Sequence, residues 1–261
     1  MADLCNDLLL GTVTSPGSGT FVCAESGWVK SDDYFNDWVE VFCYAGTGVG
    51  TSGNPTDWVN STTTLTFEPA ATLTAGDSVE MHRTFDVALY NRFINQAIDM
   101  VAGEALVDYV DTSIDLVAST YQYALPTNFL YVKTVEYESS TSGLYDSWKP
   151  IDNRHWRIVK GSTIYLELVK ELYGTPVAGR ELRITGFASP ATLSADTQEC
   201  PINPYWVANQ AAAMLHRSRI RGNNVDDEYH IAQAQICQAE ADKIRPEIRT
   251  SIGAARPVVE A

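Results

Sequence analysis

The chain has 261 residues, with 33 Asp plus Glu against 18 Lys plus Arg, a formal net charge of −15 and an apolar share of 45%. That length gives one large or two small domains around a core of ordinary size, and the acidic balance excludes a general nucleic-acid binder, whose affinity comes from clustered cations. No stretch approaches the ~20 apolar residues of a membrane span, and the N-terminus lacks the basic region and apolar run of a secretion signal.

Residues 8–83 read as all-β, because short runs rich in Val, Thr, Phe, Tyr and Trp are cut by turn signals. Strands are expected at Leu8–Thr14, Thr20–Ala24, Asp37–Tyr44, Asp57–Asn60, Thr63–Phe67 and Ser78–Arg83. In Asp37–Tyr44 the side chains alternate, with Trp38, Glu40, Phe42 and Tyr44 on one face and Val39, Val41 and Cys43 on the other. The pattern changes at Asp86, a plausible N-cap, after which Tyr90, Ile94, Ala97, Ile98 and Val101 recur with helical period until Gly103. Strands return at Tyr121–Leu125, Leu130–Glu138, Trp156–Val159, Thr163–Val169 and Arg180–Ala188. Asn203-Pro204 then caps and starts a helix, Gly222-Asn223-Asn224 stops it, and a second helix begins with the acids Asp226-Asp227-Glu228 and runs to Arg245 before Pro246.

The predicted fold class is therefore α+β: an N-terminal small β-barrel or sandwich, a helical core of one long helix plus a C-terminal αα-hairpin, an inserted antiparallel β-domain and an extended C-terminal tail. The expected boundaries are 1–83, 84–112, 113–199, 200–245 and 246–261. Charge supports a division, since residues 1–80 hold 11 acids and one base while residues 204–261 hold seven of each.

No catalytic signature emerges, and a non-enzyme without cofactor or metal is expected. Gly48-Val49-Gly50-Thr51-Ser52-Gly53 matches a dinucleotide-loop spacing, but Asn54-Pro55 follows where a helix would have to start. A mobile surface loop is the better reading. His82, His155, His216 and His230 are isolated, and the five cysteines have neither zinc spacing nor a pairing pattern. Arg217, Arg219 and Arg221 close a helix, where positive charge is favourable; they are also candidate contacts to acids on a neighbouring subunit.

Five stretches carry a resemblance: SDDYFNDWVEVFCYAGTGVG (31–50), TAGDSVEMHRTFDVALYNRFINQAI (74–98), YALPTNFLYVKTVEYE (123–138) with a later Trp148-Lys149-Pro150-Ile151, GRELRITGFASPATL (179–193) and CPINPYWVANQAAAMLHRSR (200–219). Together they resemble the head-to-tail connector proteins of tailed bacteriophages. The resemblance implies a structural virion protein of the neck, made in the host cytoplasm. It further implies a dodecameric ring under the portal protein, extending the DNA channel and offering a platform to a tail or neck protein below. DNA would pass through the lumen without specific binding, and no membrane is involved. The helices at 86–104, 203–221 and 226–245 correspond to the ring-forming core. The tail, with Ile248, Arg249, Ile252, Arg256, Val258 and Val259, corresponds to the portal-docking segment. The alternative is a phage β-rich recognition module, a fibre or carbohydrate-binding protein, against which the helical C-terminal third speaks.

Overall fold

Alternating side chains at the N-terminus build one antiparallel sheet, as seen in a computed structural model that describes residues 5, 7–139, 148–194, 198–220, 226–250, 253 and 255–258. Its strands are β1 (Leu8–Thr12), β2 (Ser15–Gly17), β3 (Thr20–Val22), β4 (Glu40–Ala45), β5 (Ser52–Val59), β6 (Thr64–Glu68) and β7 (Ser78–His82), ordered β1-β7-β4-β5-β6-β3-β2. Alternation sends Val41 and Cys43 of β4, and Leu65 and Phe67 of β6, into the core. There Trp28, Phe35 and Trp58 meet with ring centroids 5.1–5.8 Å apart. Each buried ring contributes roughly 2–3 kcal/mol of transfer free energy.

The sheet is not a closed barrel among the described residues, which corrects half of the barrel-or-sandwich expectation. β1 and β2 stand at opposite ends of the hydrogen-bonded order, yet only Val13 and Thr14 separate them in the chain. Val13 bonds to Asp77 and Gly76 beside β7, and Thr14 N–H donates to Val22 O at 2.9 Å beside β3. The sheet thus curls until its ends approach, and the chain itself crosses the seam. Pro16 in β2 has no N–H to offer, as suits an edge.

Helix α1 (Val87–Met100) starts where Asp86 Oδ1 accepts the Leu89 N–H at 2.7 Å, a side-chain N-cap. The helical stretch assigned to 84–112 ends early: a turn spanning Gly103 follows Met100, and Val107 already opens a strand. Asn203 caps α3 (Pro204–Arg219) by accepting from Tyr205 N–H and Trp206 N–H at 3.0 and 3.4 Å. α3 is buried on almost every side between Trp206 and His216, the mark of an interior helix. Its run Ala211-Ala212-Ala213 lets α4 (Asp227–Ile244) lie close, and Gln210 and Gln238 exchange amide hydrogen bonds across the pair. Residues 1–99 and 192–246 form one unit that holds the sheet and these three helices.

Residues 100–191 and 247–261 form a second unit. Its strands are β8 (Val107–Asp115), β9 (Gln122–Ala124), β10 (Phe129–Glu138), β11 (Trp148–Pro150), β12 (Trp156–Val159), β13 (Tyr165–Leu168), β14 (Glu181–Ala188) and β15 (Arg256–Pro257), with a single helical turn α2 (Lys170–Tyr173) before β14. One sheet runs β11-β10-β14-β8 with β15 added to β10, and a smaller one runs β12-β13-β9. The core gathers Phe129, Val132, Val135, Trp156, Leu182 and Ile184. Gly186 sits mid-strand because a Cβ there would fall 2.0 Å from the Tyr131 carbonyl oxygen.

Candidate interaction surfaces

The glycine loop holds an internal carboxylate rather than an open phosphate cradle. Asp77, buried, accepts from the Thr47 and Thr74 N–H groups at 2.7 Å each and from Gly48 N–H at 3.1 Å. Gly46 adopts φ +112°, and a Cβ on it would fall 2.1 Å from Asp77 Oδ1. The loop then enters strand β5 rather than a helix. Amides that would bind a pyrophosphate are thus occupied by a negative charge. The loop is fastened, not the loose surface turn expected from sequence.

The helical hairpin brings together two histidines that look unrelated in sequence. His216 on α3 and His230 on α4 face each other with Nδ1 atoms 2.9 Å apart, and Phe85 packs edge-on to both rings. Burial, and then the charge of His230, push His216 down to about 4 from its ordinary 6.5. Burial pushes the nearby Cys5 thiol up to about 12, with Cys237 and Asp7 adding to the effect, which disfavours the nucleophilic thiolate. Among the described residues no group of three or more His, Cys, Asp or Glu is arranged to hold a metal ion.

The histidine pair carries a pH expectation. The unfolded chain binds a proton at His216 near pH 6.5 that the folded chain refuses until about pH 4, so stability is complete above that window and falls as pH drops through it. By pH 5 the loss should reach about 2 kcal/mol in urea unfolding. His216→Gln should flatten the profile between those limits; an unchanged slope would show that His216 does not titrate as described.

The described arginines at the end of α3 bind their own chain. Arg217 Nη2 donates to Gln238 Oε1 at 3.0 Å, and the Arg219 guanidinium lies 5.2 Å over the Phe85 ring and donates to Thr84 O. Arg221 lies outside the described residues. A different surface stands open. α4 buries one stripe, Asp227, Ala234, Cys237 and Ala241, against the rest of its unit. Its outer face carries Tyr229, Ala232, Ile236 and Ala239 at helical spacing, with Ile236 57% exposed. Sequence reasoning overlooked this face, although its 3–4 spacing was visible.

Part of the C-terminal segment is built into the second unit. Ile248 is half-buried in a short turn, Arg245–Ile248, and Arg249 Nε pairs with Glu104 Oε2 at 3.1 Å. Arg256 pairs with Val132 in β15–β10, stacks 4.3 Å over Trp156, and donates to the Trp156 and Asn153 carbonyl oxygens. Val258 is 3% exposed and its N–H donates to Leu130 O at 2.8 Å. Ile252 and Val259 lie outside the described residues. The resemblance assigns this segment to portal docking, and within the chain Val258 packs in the second unit's core. A two-residue strand leaves no periodicity by which sequence could reveal it.

With this geometry in place, comparison with known families gives one finding: the family model for SU10 adaptor protein matches residues 62–259, about three quarters of the chain. Curated proteins yield no match.

Proposed function

The chain belongs to the SU10 adaptor family of phage structural proteins, and from that premise we propose that it is the subunit of a dodecameric ring docked under the portal, at the neck between head and tail. The ring extends the DNA channel and presents a platform to the tail or neck protein below. The observation that carries this reading is the family match over 62–259. Two features support it. The net charge of −15 suits a wall past which DNA moves without adhering. The outer face of α4 offers an apolar strip, which a closed ring needs on one side of a head-to-tail interface.

In this reading α1, α3 and α4 form the ring-bearing core, and the α4 strip is covered by the next subunit. The portal contact falls to the tail. Because Val258 is buried and Arg256 is stacked on Trp156, the part we assign to the portal is the stretch around Ile248 and Arg249, where Arg249 is exposed and its ion pair with Glu104 lies at the surface. The test is assembly on purified portals, followed by light scattering and electron microscopy. Wild type should form portal-capping rings. Ile236→Glu should remain unassembled, with its stability within about 0.5 kcal/mol of wild type, as expected of an exposed site. Rings of equal yield from this variant would remove α4 as the interface, and the absence of rings from wild type would overturn the proposal itself.

A further inference from the structure

A pocket on the N-terminal sheet is walled by Tyr34, Asp37 and Trp38, which precede the family match, and by Arg83 and Thr84, which lie within it. Residues 32–37 form consecutive turns pinned to the sheet: Asp33 N–H donates to Trp58 O at 2.9 Å, Asp32 Oδ1 accepts Asn60 N–H at 2.8 Å, and Val39 N–H donates to His82 O at 2.9 Å. Phe35, fully buried between Trp28 and Trp58, anchors the segment from beneath. On the outside this leaves Tyr34, 44% exposed, and Trp38, with ring centroids 6.3 Å apart and planes inclined by 52°. Both pack nearly perpendicular to Phe35, with centroids 5.0 and 5.1 Å away.

These rings wall a pocket of about 340 Å³ together with Asp37, Arg83 and Thr84. The volume lies at the low end of small-molecule sites. Among the described residues, neither the Asp37 carboxylate nor the Arg83 guanidinium has a side-chain hydrogen bond or ion pair, although both line the same pocket and both are exposed. They present an acceptor-only group and a donor-only fork beside two aromatic faces held in place by a buried anchor.

We propose that this pocket binds a neutral saccharide ring. A sugar hydroxyl both donates and accepts, so neighbouring hydroxyls can be shared between Asp37 and Arg83, while the ring's C–H face packs on Trp38 beside Tyr34, over whose ring Lys30 Nζ lies at 5.5 Å. A simple anion would face Asp37 and a simple cation would face Arg83, whereas a neutral polyol can donate to the one and accept from the other at once. Three of the five lining residues, Tyr34, Asp37 and Trp38, precede the matched region, and the binding test does not require ring assembly.

The test is saturation-transfer NMR on the full chain with methyl glycosides of glucose, galactose, mannose, N-acetylglucosamine and rhamnose at ~10 mM, a range that detects millimolar binding. At least one glycoside should receive saturation. Asp37→Ala or Arg83→Ala should weaken its binding about tenfold, the loss expected for a hydrogen bond to a charged group. Both positions are exposed, so melting temperatures should stay at the wild-type value and separate lost binding from lost folding. No transfer to any of the five glycosides overturns the proposal. So does binding undiminished in both variants, or a pocket that takes a hexaproline peptide and no glycoside.

Discussion

Replacing Asp7 with alanine should cost about 3–5 kcal/mol, a large part of the total stability of a typical domain. The carboxylate is 1% exposed and accepts three hydrogen bonds, from Thr84 N–H at 2.5 Å, Phe85 N–H at 3.0 Å and the Tyr90 hydroxyl at 2.7 Å. Two of these donors belong to the join between β7 and α1, and the third lies in the first turns of the helix. Removal strands buried donors at roughly 1–3 kcal/mol each, less what water regains in the space left behind. Burial, and then the charge of Asp7, push the Tyr90 hydroxyl far above its ordinary range, so that it remains a donor at any working pH. Asp7→Asn should be nearly as damaging, because its amide brings N–H groups to face donors. Urea unfolding checks both; a loss below about 1 kcal/mol for alanine would mean that the join holds without this carboxylate.

Deleting residues 246–261 should destabilise the second unit by about 2.5–4 kcal/mol. Val258 leaves a hole in the core worth roughly 1.5–3 kcal/mol, and the stacking of Arg256 on Trp156 adds about 1 kcal/mol. Amide exchange along β10 should rise, since Tyr131 and Val132 lose their strand partners. An unchanged midpoint and unchanged β10 protection would show that the segment is not seated as described. The result also guides tests of portal docking. A truncated chain that fails to bind heads has lost stability as well as a tail, so Ile248→Asp and Arg249→Glu are the cleaner probes of attachment. Arg249 gives up an exposed ion pair of little value.

Much of the local structure was legible, for identifiable reasons. β6 and the first parts of β4 and β14 alternate, α1 starts at a capping aspartate, and α3 starts at Asn203-Pro204; each is a signal confined to a few neighbours in sequence. β8 escaped because Val107 and Tyr109 follow closely on a helical pattern, so the end of one period hid the start of the next. The seam across Val13-Thr14 escaped because curvature is a property of the whole sheet. What matters most at the candidate surfaces was illegible for a different reason. Asp7 meets Tyr90, His216 meets His230 and Arg256 meets Trp156 across 83, 14 and 100 residues of chain. No short-range pattern encodes such a meeting. The α4 outer face is the opposite case: its spacing was plain, but exposure had to be seen before the strip could be recognised as unpartnered.

Each unit is discontinuous, and this sets an order of events during synthesis. The first sheet is complete in sequence by His82, but the helices that finish its unit lie beyond residue 192. At ~5–20 residues per second the ribosome needs roughly 5–20 s to make the intervening stretch. The second unit waits in turn for Val258, so neither can close until nearly all of the described chain has emerged. α4, whose outer face carries the exposed apolar strip, is the last long helix to appear. A nascent chain therefore exposes no α4 strip until its own sheet has long been in place, a timing that limits apolar contact between chains on the same polysome.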